Sequence, residues 1–319
     1  MFTVVINVYN RASLIEETLH SIFNQTQPAQ EIVVVNDGST DNSLEILEKY
    51  SDRIKLFTIE NVGCGTSRKK AIEYSDPSIP WITFCDSDDL WKPNHLETIA
   101  ALITDTPEAS VVATDFDTFG KDENRGYFHL RSIPKKWWAG YASMIKEDVY
   151  LLPAPFLPLL EHNPLVITTM AIKRDIYEKC GGINESFSRY QAEDSDLTRR
   201  LALANHPFVL SLAHTVRLRR DGSNMSQSAA GNFLDRARIS ISHMNEELIP
   251  DKYSQKTHLF IQSSLEEAIR RLYIQDEPQK FELAYEAITP YQIKRSTRFR
   301  MKTRALPVCL RRMITAVLS

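Results

Sequence analysis

The stretch Trp81-Ile82-Thr83-Phe84-Cys85-Asp86-Ser87-Asp88-Asp89 carries the strongest prediction in this sequence. Its apolar first half is typical of a short buried strand, and Asp86 and Asp88 follow at the C-terminal end of that strand. Ligands of open α/β sheets bind at this end of the strands, and carboxylate oxygens are hard ligands for Mg²⁺ or Mn²⁺. The stretch therefore predicts a site where a divalent metal holds a diphosphate. The alternative is an acidic turn with a purely local role, because Asp also favours turns.

Strands and helices alternate on both sides of this stretch. Runs rich in β-branched and apolar residues predict strands at 3–8, 31–35, 54–59, 81–85 and 109–113. Between the strands, apolar residues recur at helical spacing, as they do over residues 14–23. Such an alternation predicts an α/β fold in which helices flank a mostly parallel sheet.

The second half of the chain changes character. Residues 116–165 lack a clear periodicity and are rich in aromatic side chains, which is typical of a functional loop. Regular patterns then predict a strand at 166–172, helices at 175–180 and 194–204, and a strand at 208–218. From about residue 229 onward the pattern is helical. We therefore predict a first domain over 1–228 and a helical C-terminal extension over 229–319.

The composition is that of an ordinary soluble globular protein. The chain is 43% hydrophobic and 25% charged. Its length of 319 residues is enough for one large domain plus an appendage. The four cysteines show no spacing typical of disulfide pairs or metal sites, which favours reduced thiols. No signal peptide is predicted. We therefore expect a cytoplasmic protein. The longest apolar stretch, 151–160, contains three prolines, and no segment approaches the roughly 20 apolar residues of a membrane helix.

Charge is distributed unevenly along the chain. The net charge is −3, yet residues 294–319 hold eight basic residues and no acidic one, which leaves −11 for the remainder. Apolar residues interleave with these basic ones, a pattern that predicts peripheral contact with an anionic membrane, here its inner face. A solvated helix and a subunit contact in a homo-oligomer are the alternatives. Nucleic acid is not an expected partner, because the body is acidic and lacks an aromatic-plus-basic platform.

Two loops near the predicted sheet edge could contact a nucleotide. Asp37, beside Gly38 at the end of a predicted strand, can accept a hydrogen bond from a base, although a simple strand-to-helix turn is the alternative. In residues 61–68, two glycines before a helix start allow backbone N–H groups to approach phosphate, and Arg68 adds a cation. The alternative there is a flexible loop. The segment matches neither a G-x-G-x-x-G motif nor a P-loop.

Three further segments have both a chemical and a structural interpretation. A carboxylate in Glu193-Asp194-Ser195-Asp196 could act as a general base, or these acids could simply complement a helix macrodipole. Asp221 follows three basic residues and could be a third metal ligand, or part of a basic surface turn. The pair Trp137-Trp138 could stack on a sugar, or belong to the core.

Taken in order, these segments resemble a family 2 glycosyltransferase with the GT-A fold, which is Rossmann-like. Residues 3–11 resemble the family's first strand and nucleotide-contacting turn, and residues 35–41 resemble its "DDGSxD" element. Residues 61–68 resemble "NxGxxxARN", and 86–89 match its D-x-D with a trailing Asp. Glu193-Asp194 resembles the "ED" motif, and 219–226 resemble "RxHxxNxS" with Asp221 in place of the His. The resemblance covers about residues 1–228. The "QxxRW" signature of processive polymerases is absent from the sequence.

The resemblance implies a role for each matched residue. It places donor binding on Val8, Tyr9, Asn10, Arg11, Asp37, Asn61, Gly65, Arg68, Asp86, Ser87 and Asp88. It assigns Mn²⁺ or Mg²⁺ to Asp88, Asp86 and Asp221, with Asp194 as the catalytic base. We add Trp137, Trp138 and Glu193 as predicted acceptor contacts.

The same resemblance implies the reaction. We expect inverting transfer of a sugar from a nucleotide diphosphate, with a UDP-sugar as donor, to the hydroxyl of a carbohydrate or lipid-linked glycan. The expected setting is surface polysaccharide or glycolipid assembly. A nucleotidyltransferase and a non-catalytic GT-A-like binding module in an assembly complex are the alternatives.

Overall fold

The computed structural model describes residues 1–121, 129–190, 192–220 and 229–275. The chain divides into two compact units, Met1–Met225 and Ser226–Ser319. The predicted domain boundary at residue 228 lies outside the described residues.

The described part of the first unit contains ten strands. They are β1 (Phe2–Val8), β2 (Glu31–Asp37), β3 (Lys55–Ile59), β4 (Trp81–Phe84), β5 (Leu90–Trp91), β6 (Val111–Phe119), β7 (Ser143–Lys146), β8 (Val149–Leu152), β9 (Met170–Lys173) and β10 (Phe208–Arg219).

Helices connect most of these strands, and ten α-helices are present among the described residues. They are α1 (Ile15–Phe23), α2 (Ser43–Glu48), α3 (Cys64–Glu73), α4 (His95–Asp105), α5 (Lys135–Tyr141), α6 (Phe156–Glu161), α7 (Arg174–Lys179), α8 (Glu193–Leu203), α9 (Ala229–Asn245) and α10 (Asp251–Gln275). Short 3₁₀ turns lie at Leu130–Ser132, Ile167–Thr169 and Glu185–Tyr190.

The ten strands form one sheet, in the order β3-β2-β1-β4-β9-β6-β10-β8-β7, with β5 paired to β10. Strands β3, β2, β1 and β4 are mutually parallel. Strand β9 runs antiparallel between β4 and β6, and β10 is parallel to β6. The strands β1, β2, β3, β4, β6 and β10 thus point the same way, which confirms the predicted mostly parallel α/β fold. Their carboxyl ends meet at one edge of the sheet.

The core of this unit lies on both faces of the central strands. All residues of β1 from Phe2 to Ile6 are buried, because β2 and β4 flank it and helices cover it. Helix α1 contributes its apolar side, with Ile15, Leu19 and Ile22 at most 2% exposed. The sequence pattern therefore places these residues correctly.

The middle of the chain is more regular than predicted. Residues 116–165 contain the end of β6 and all of α5, β7, β8 and α6. These elements are four to seven residues long, and all four residues of β7 are exposed. Such short elements hold too few repeats for a periodicity to be visible in the sequence.

Two helices make up the described part of the second unit, in agreement with the helical pattern of the sequence. They pack through buried apolar residues, among them Leu234 and Ala237 on α9 and Ile261 and Leu265 on α10. Across residues 1–121, 129–190, 192–220 and 229–275, no helix has both the length and the apolar character needed to cross a bilayer. The basic segment 294–319 lies outside the described residues.

Candidate active site

The segments that follow β1 and β2 form a hydrogen-bonded corner at the carboxyl edge of the sheet. Asn10 has a positive φ of 51°, and its side-chain Oδ1 accepts a hydrogen bond from the Thr40 backbone N–H at 2.8 Å. Arg11 N–H donates to Ser43 Oγ at 2.8 Å. Polar contacts thus join the turn after β1 to the turn after β2. Next to them Val8 is buried, whereas Tyr9 is 44% exposed and available to a ligand.

Asp37 organises the neighbouring loop at the end of β2. Its side chain is buried, and its two oxygens accept hydrogen bonds from the backbone N–H groups of Val62 at 2.8 Å and Gly63 at 3.0 Å. The adjacent Gly38 has φ +68°, and a Cβ there would lie 2.7 Å from Asn61 N. Asp37 therefore fixes the approach to α3, while its predicted contact with a base stays a prediction.

Helix α3 delivers a buried arginine to the same edge. Gly63, with φ +89°, precedes the helix, and the buried Gly65 lies in its first turn. One helical turn further, Arg68 is only 7% exposed. Its Nη1 donates to Glu193 Oε1 at 2.7 Å, and its Nη2 donates to Asp86 Oδ1. A single guanidinium thus joins the end of β4 to the start of α8.

The acidic turn after β4 presents its carboxylates in two different environments. The side chains of Asp86 and Asp88 are 28% and 17% exposed and face the cations Arg68 and Arg11, the latter pair at 3.6 Å. Asp89, in contrast, is 4% exposed. Burial, reinforced by the charges of Asp86 and Asp88, raises the pKa of Asp89. Only the first two aspartates are therefore accessible to a ligand.

The donor set of this turn fits a divalent cation that shares its coordination with a substrate. Asp86 and Asp88 supply hard oxygens, and Mg²⁺ in proteins is commonly held by one or two carboxylates together with substrate phosphates. Among the described residues, no group of three or more His, Cys, Asp or Glu side chains could hold a metal by itself. The predicted third ligand, Asp221, lies outside the described residues.

Asp194 lies in the first turn of α8, near the arginine. Burial raises the pKa of its carboxyl, the charge of Arg68 opposes that rise, and Asp86 adds to it. Its Oδ1 accepts a hydrogen bond from the Ser195 backbone N–H at 2.6 Å. Asp194 is therefore a carboxylate of raised basicity close to the acidic turn, which is the property a general base needs.

The neighbouring acids in α8 have structural partners. Glu193 is 2% exposed and holds Arg68, so its surroundings give no support to the predicted acceptor contact. Burial raises the pKa of Glu193, against the opposing charge of Arg68. Asp196 is fully buried and accepts from Arg200 Nη2 at 2.6 Å. Arg200 in turn donates to the carbonyl of Gly182 at 2.6 Å.

The two tryptophans pack inside the protein. Trp137 and Trp138 are 7% and 8% exposed, and their rings meet edge to face at 5.1 Å. Trp138 also stacks on Tyr150 at 4.2 Å. This packing matches the alternative interpretation, in which the pair belongs to the core, and the acceptor role stays a prediction without structural support.

Other predicted residues are placed as follows. Ser87, between the two accessible aspartates, is 8% exposed. Asn61 is exposed in the loop that Asp37 holds.

The contacts of Arg219 were not predicted from sequence. They reach the backbone of Asp88 and the carboxylate of Asp89. The signal available for them was the position of Arg219 at the start of residues 219–226, which resemble "RxHxxNxS".

Named relatives share part of their length with this chain. It is 30% identical over 236 residues to the poly(ribitol-phosphate) β-N-acetylglucosaminyltransferase TarS of Staphylococcus aureus (strain MW2), which is 71% of this chain and 37% of TarS. It is 36% identical over 131 residues to the glycosyltransferase GlyA of Streptococcus pneumoniae serotype 4, 40% of this chain and 18% of GlyA. The chain thus matches well under two thirds of either relative.

Solved structures show the same fold. Residues 1–349 of S. aureus TarS in complex with UDP-GlcNAc align with a TM-score of 0.65 and 20% identity, covering 90% of this chain and 80% of that chain. The mannosyltransferase PcManGT of Pyrobaculum calidifontis, in complex with GDP-Man and Mn²⁺, aligns with a TM-score of 0.54 and 18% identity, covering 95% and 84%.

The family follows from the sequence match. A model of the family described as Glycosyl transferase family 2 matches residues 3–180, which is more than half of the 319 residues. This match includes the acidic turn, Arg68 and both loops that the ends of β1 and β2 position. The GT-A fold and the sequence together establish that the chain belongs to glycosyl transferase family 2.

Proposed function

We propose that this chain is an inverting glycosyltransferase that transfers a sugar from a UDP-sugar to an acceptor hydroxyl in surface polysaccharide or glycolipid assembly. The observation that carries the proposal is the position of Arg68. Its guanidinium binds Asp86 at the end of β4 and Glu193 at the start of α8, beside Asp194. The groups proposed to bind the diphosphate and the proposed base thereby lie at one edge of the sheet.

The donor would bind along this edge. Tyr9, Asn10 and Arg11 after β1, together with Asp37 and the loop 61–65, would contact the nucleotide. Mn²⁺ or Mg²⁺ would be held by Asp86 and Asp88, with Asp221 as a further proposed ligand, and would neutralise charge on the diphosphate when bound. Arg68 would add a second, fixed positive charge for the leaving group.

Asp194 would serve the other half of the reaction. The acceptor oxygen forms a bond to the anomeric carbon from the side opposite the diphosphate, while the bond from that carbon to the diphosphate oxygen breaks. The configuration at the anomeric carbon is therefore inverted. The acceptor hydroxyl proton passes to the carboxylate of Asp194, which its raised pKa makes a better base than an ordinary Asp.

The relatives support the choice of donor and acceptor class. TarS is named as an N-acetylglucosaminyltransferase that acts on poly(ribitol-phosphate), and its structure holds UDP-GlcNAc. PcManGT holds GDP-Man and Mn²⁺. We therefore propose UDP-sugars, and UDP-GlcNAc first among them, with GDP-sugars as the next donors to test. The carbohydrate or lipid-linked acceptor would be reached at the inner membrane face through the basic segment 294–319.

Hydrolysis of nucleotide sugars tests this function without knowledge of the acceptor. Water can replace the acceptor, so we expect slow release of UDP from one UDP-sugar in Mn²⁺, and no release in EDTA. Asp194→Asn should abolish the release. Donor binding without any turnover, either on water or on candidate acceptors, would instead favour the non-catalytic binding module.

A further inference from the structure

The acidic turn is held in place by a residue outside it. Within the turn, the backbone N–H of Asp89 donates to the Asp86 carbonyl at 3.0 Å. Arg219, the last residue of β10, adds two bonds from another strand. Its backbone N–H donates to Asp89 Oδ1 at 2.9 Å, and its Nε donates to the Asp88 carbonyl at 2.9 Å. Arg219 thus binds the turn through both its main chain and its side chain.

The guanidinium of Arg219 is itself oriented by neighbours. Its Nη2 donates to Glu17 Oε2 of α1 at 2.5 Å, and its Cζ lies 4.6 Å from the centre of the Phe119 ring. Its side chain is 15% exposed. These contacts aim Nε at the turn, a geometry that needs the planar fork of arginine and that lysine does not reproduce.

Helix α1 completes the same framework. Thr18, one residue after Glu17, donates its hydroxyl to the Asp89 carbonyl at 3.0 Å. The turn is therefore tied to both α1 and β10, and Arg219, at the end of β10, also contacts α1 through Glu17. Asp86 and Asp88 have side chains that remain 28% and 17% exposed, so the framework holds their backbone and leaves their carboxylates accessible.

We propose that Arg219 is a positioning residue for the proposed transferase, acting through the Asp86–Asp89 turn to hold the two accessible carboxylates ready for a metal–diphosphate. The inference rests on the proposed function, because it concerns the same ligand. It differs from a direct role, in which the guanidinium would bind the diphosphate itself.

The test compares Arg219→Lys with Arg217→Lys in the full-length chain. Arg217 is a matched control because it lies on the same strand and its Cζ lies 4.4 Å from the centre of the same Phe119 ring, but its side chain is exposed. Equilibrium dialysis of radiolabelled UDP would be performed in Mn²⁺ and in EDTA. We expect Arg219→Lys to weaken UDP binding in Mn²⁺ by about tenfold, the equivalent of one charge-assisted hydrogen bond.

Binding in EDTA should stay at the wild-type level for Arg219→Lys, and Arg217→Lys should match the wild type in both conditions. Equal losses of affinity in Mn²⁺ and in EDTA would overturn the inference, because they would indicate direct contact between Arg219 and UDP. Wild-type binding by Arg219→Lys would also overturn it, as would an equal effect of Arg217→Lys.

Glu17→Gln covers the case in which Arg219→Lys does not fold. It removes the negative charge that anchors the guanidinium, at an exposed position, and we expect Mn²⁺-dependent UDP affinity to fall by about two- to threefold. An unchanged affinity would then contradict the inference. If the wild type itself shows no Mn²⁺-dependent binding of UDP or GDP, the proposed function fails. If it binds and the variants equal it, only the role of Arg219 fails.

Discussion

At the scale of single residues, Asp194 is the side chain on which the proposed chemistry depends most. Its replacement by Asn removes the base but keeps the size and the backbone contacts of the residue. We expect kcat to fall by about 10²- to 10⁴-fold, the usual contribution of a general base, while UDP affinity stays unchanged. Steady-state kinetics and calorimetry would measure the two effects.

Asp196→Asn, two residues further along α8, provides a matched control. Asp196 is fully buried and paired with Arg200, so its loss should lower the free energy of unfolding by about 3 kcal/mol. Turnover per folded molecule should stay close to that of the wild type. A large loss of kcat in both variants would indicate that α8 is merely disrupted, and would argue against a specific role for Asp194.

The pH dependence of the rate follows from the environment of the same residue. Burial raises the pKa of Asp194, so the carboxyl takes up its proton at a higher pH than an exposed Asp. Because the base works only when ionised, kcat should fall as pH falls through this raised pKa. Rates measured from about pH 4 to pH 8 would show an acid limb above the usual Asp range. A rate that stays flat down to about pH 4 would contradict the assignment.

At the scale of elements, the turn between β2 and α2 requires a glycine. Gly38 has φ +68°, and an added Cβ would lie 2.7 Å from the backbone N of Asn61. We expect Gly38→Ala to destabilise the fold by about 2 kcal/mol, from the left-handed conformation and the displaced loop together. Urea unfolding would measure the loss.

Gly140→Ala is the control for this substitution. Gly140 lies within α5 and has no atom within 4 Å of an added Cβ, so the change should stabilise the protein by about 0.5–1 kcal/mol. Equal effects of the two substitutions would show that neither the positive φ of Gly38 nor the nearby Asn61 backbone constrains this turn.

Elements with a buried apolar run or a helical repeat were predictable from sequence, and elements without such a pattern were not. The buried runs of β1, β2 and β4 and the amphipathic α1 carry patterns that determine type and position. The exposed four-residue β7 and the seven-residue α5 carry no such pattern. Nor does any residue pattern predict that β9 runs antiparallel between β4 and β6.

The candidate site was predictable to the same degree. Local motifs identified Arg68, Asp86 and Asp194 as candidates. Contacts between distant segments, such as Arg68 with Glu193 or Arg219 with Asp89, depend on how strands and helices pack, and residue spacing does not encode them. Burial likewise separated Asp89 from Asp86 and Asp88, although the three lie in one turn.

At the scale of the whole molecule, the basic segment 294–319 is proposed to bring the catalytic unit to its acceptor. Each basic residue near an anionic bilayer contributes about 1 kcal/mol, and the segment holds eight of them. We expect removal of 294–319 to abolish sedimentation with phosphatidylglycerol vesicles, and to leave UDP binding unchanged. Equal sedimentation of the full-length and truncated chains would contradict this role and favour a solvated helix or a subunit contact.

The central claim is that the acidic turn after β4 forms the donor site, and calorimetric titration of UDP in the presence of Mn²⁺ tests it most directly. Wild-type protein and Asp88→Ala would be compared, with GDP titrated into both. We predict Mn²⁺-dependent binding of UDP to the wild type and its loss in Asp88→Ala, because Asp88 is one of the two accessible carboxylates of the turn. Equal binding of UDP by both proteins, or no binding of either nucleotide by the wild type, would contradict the account.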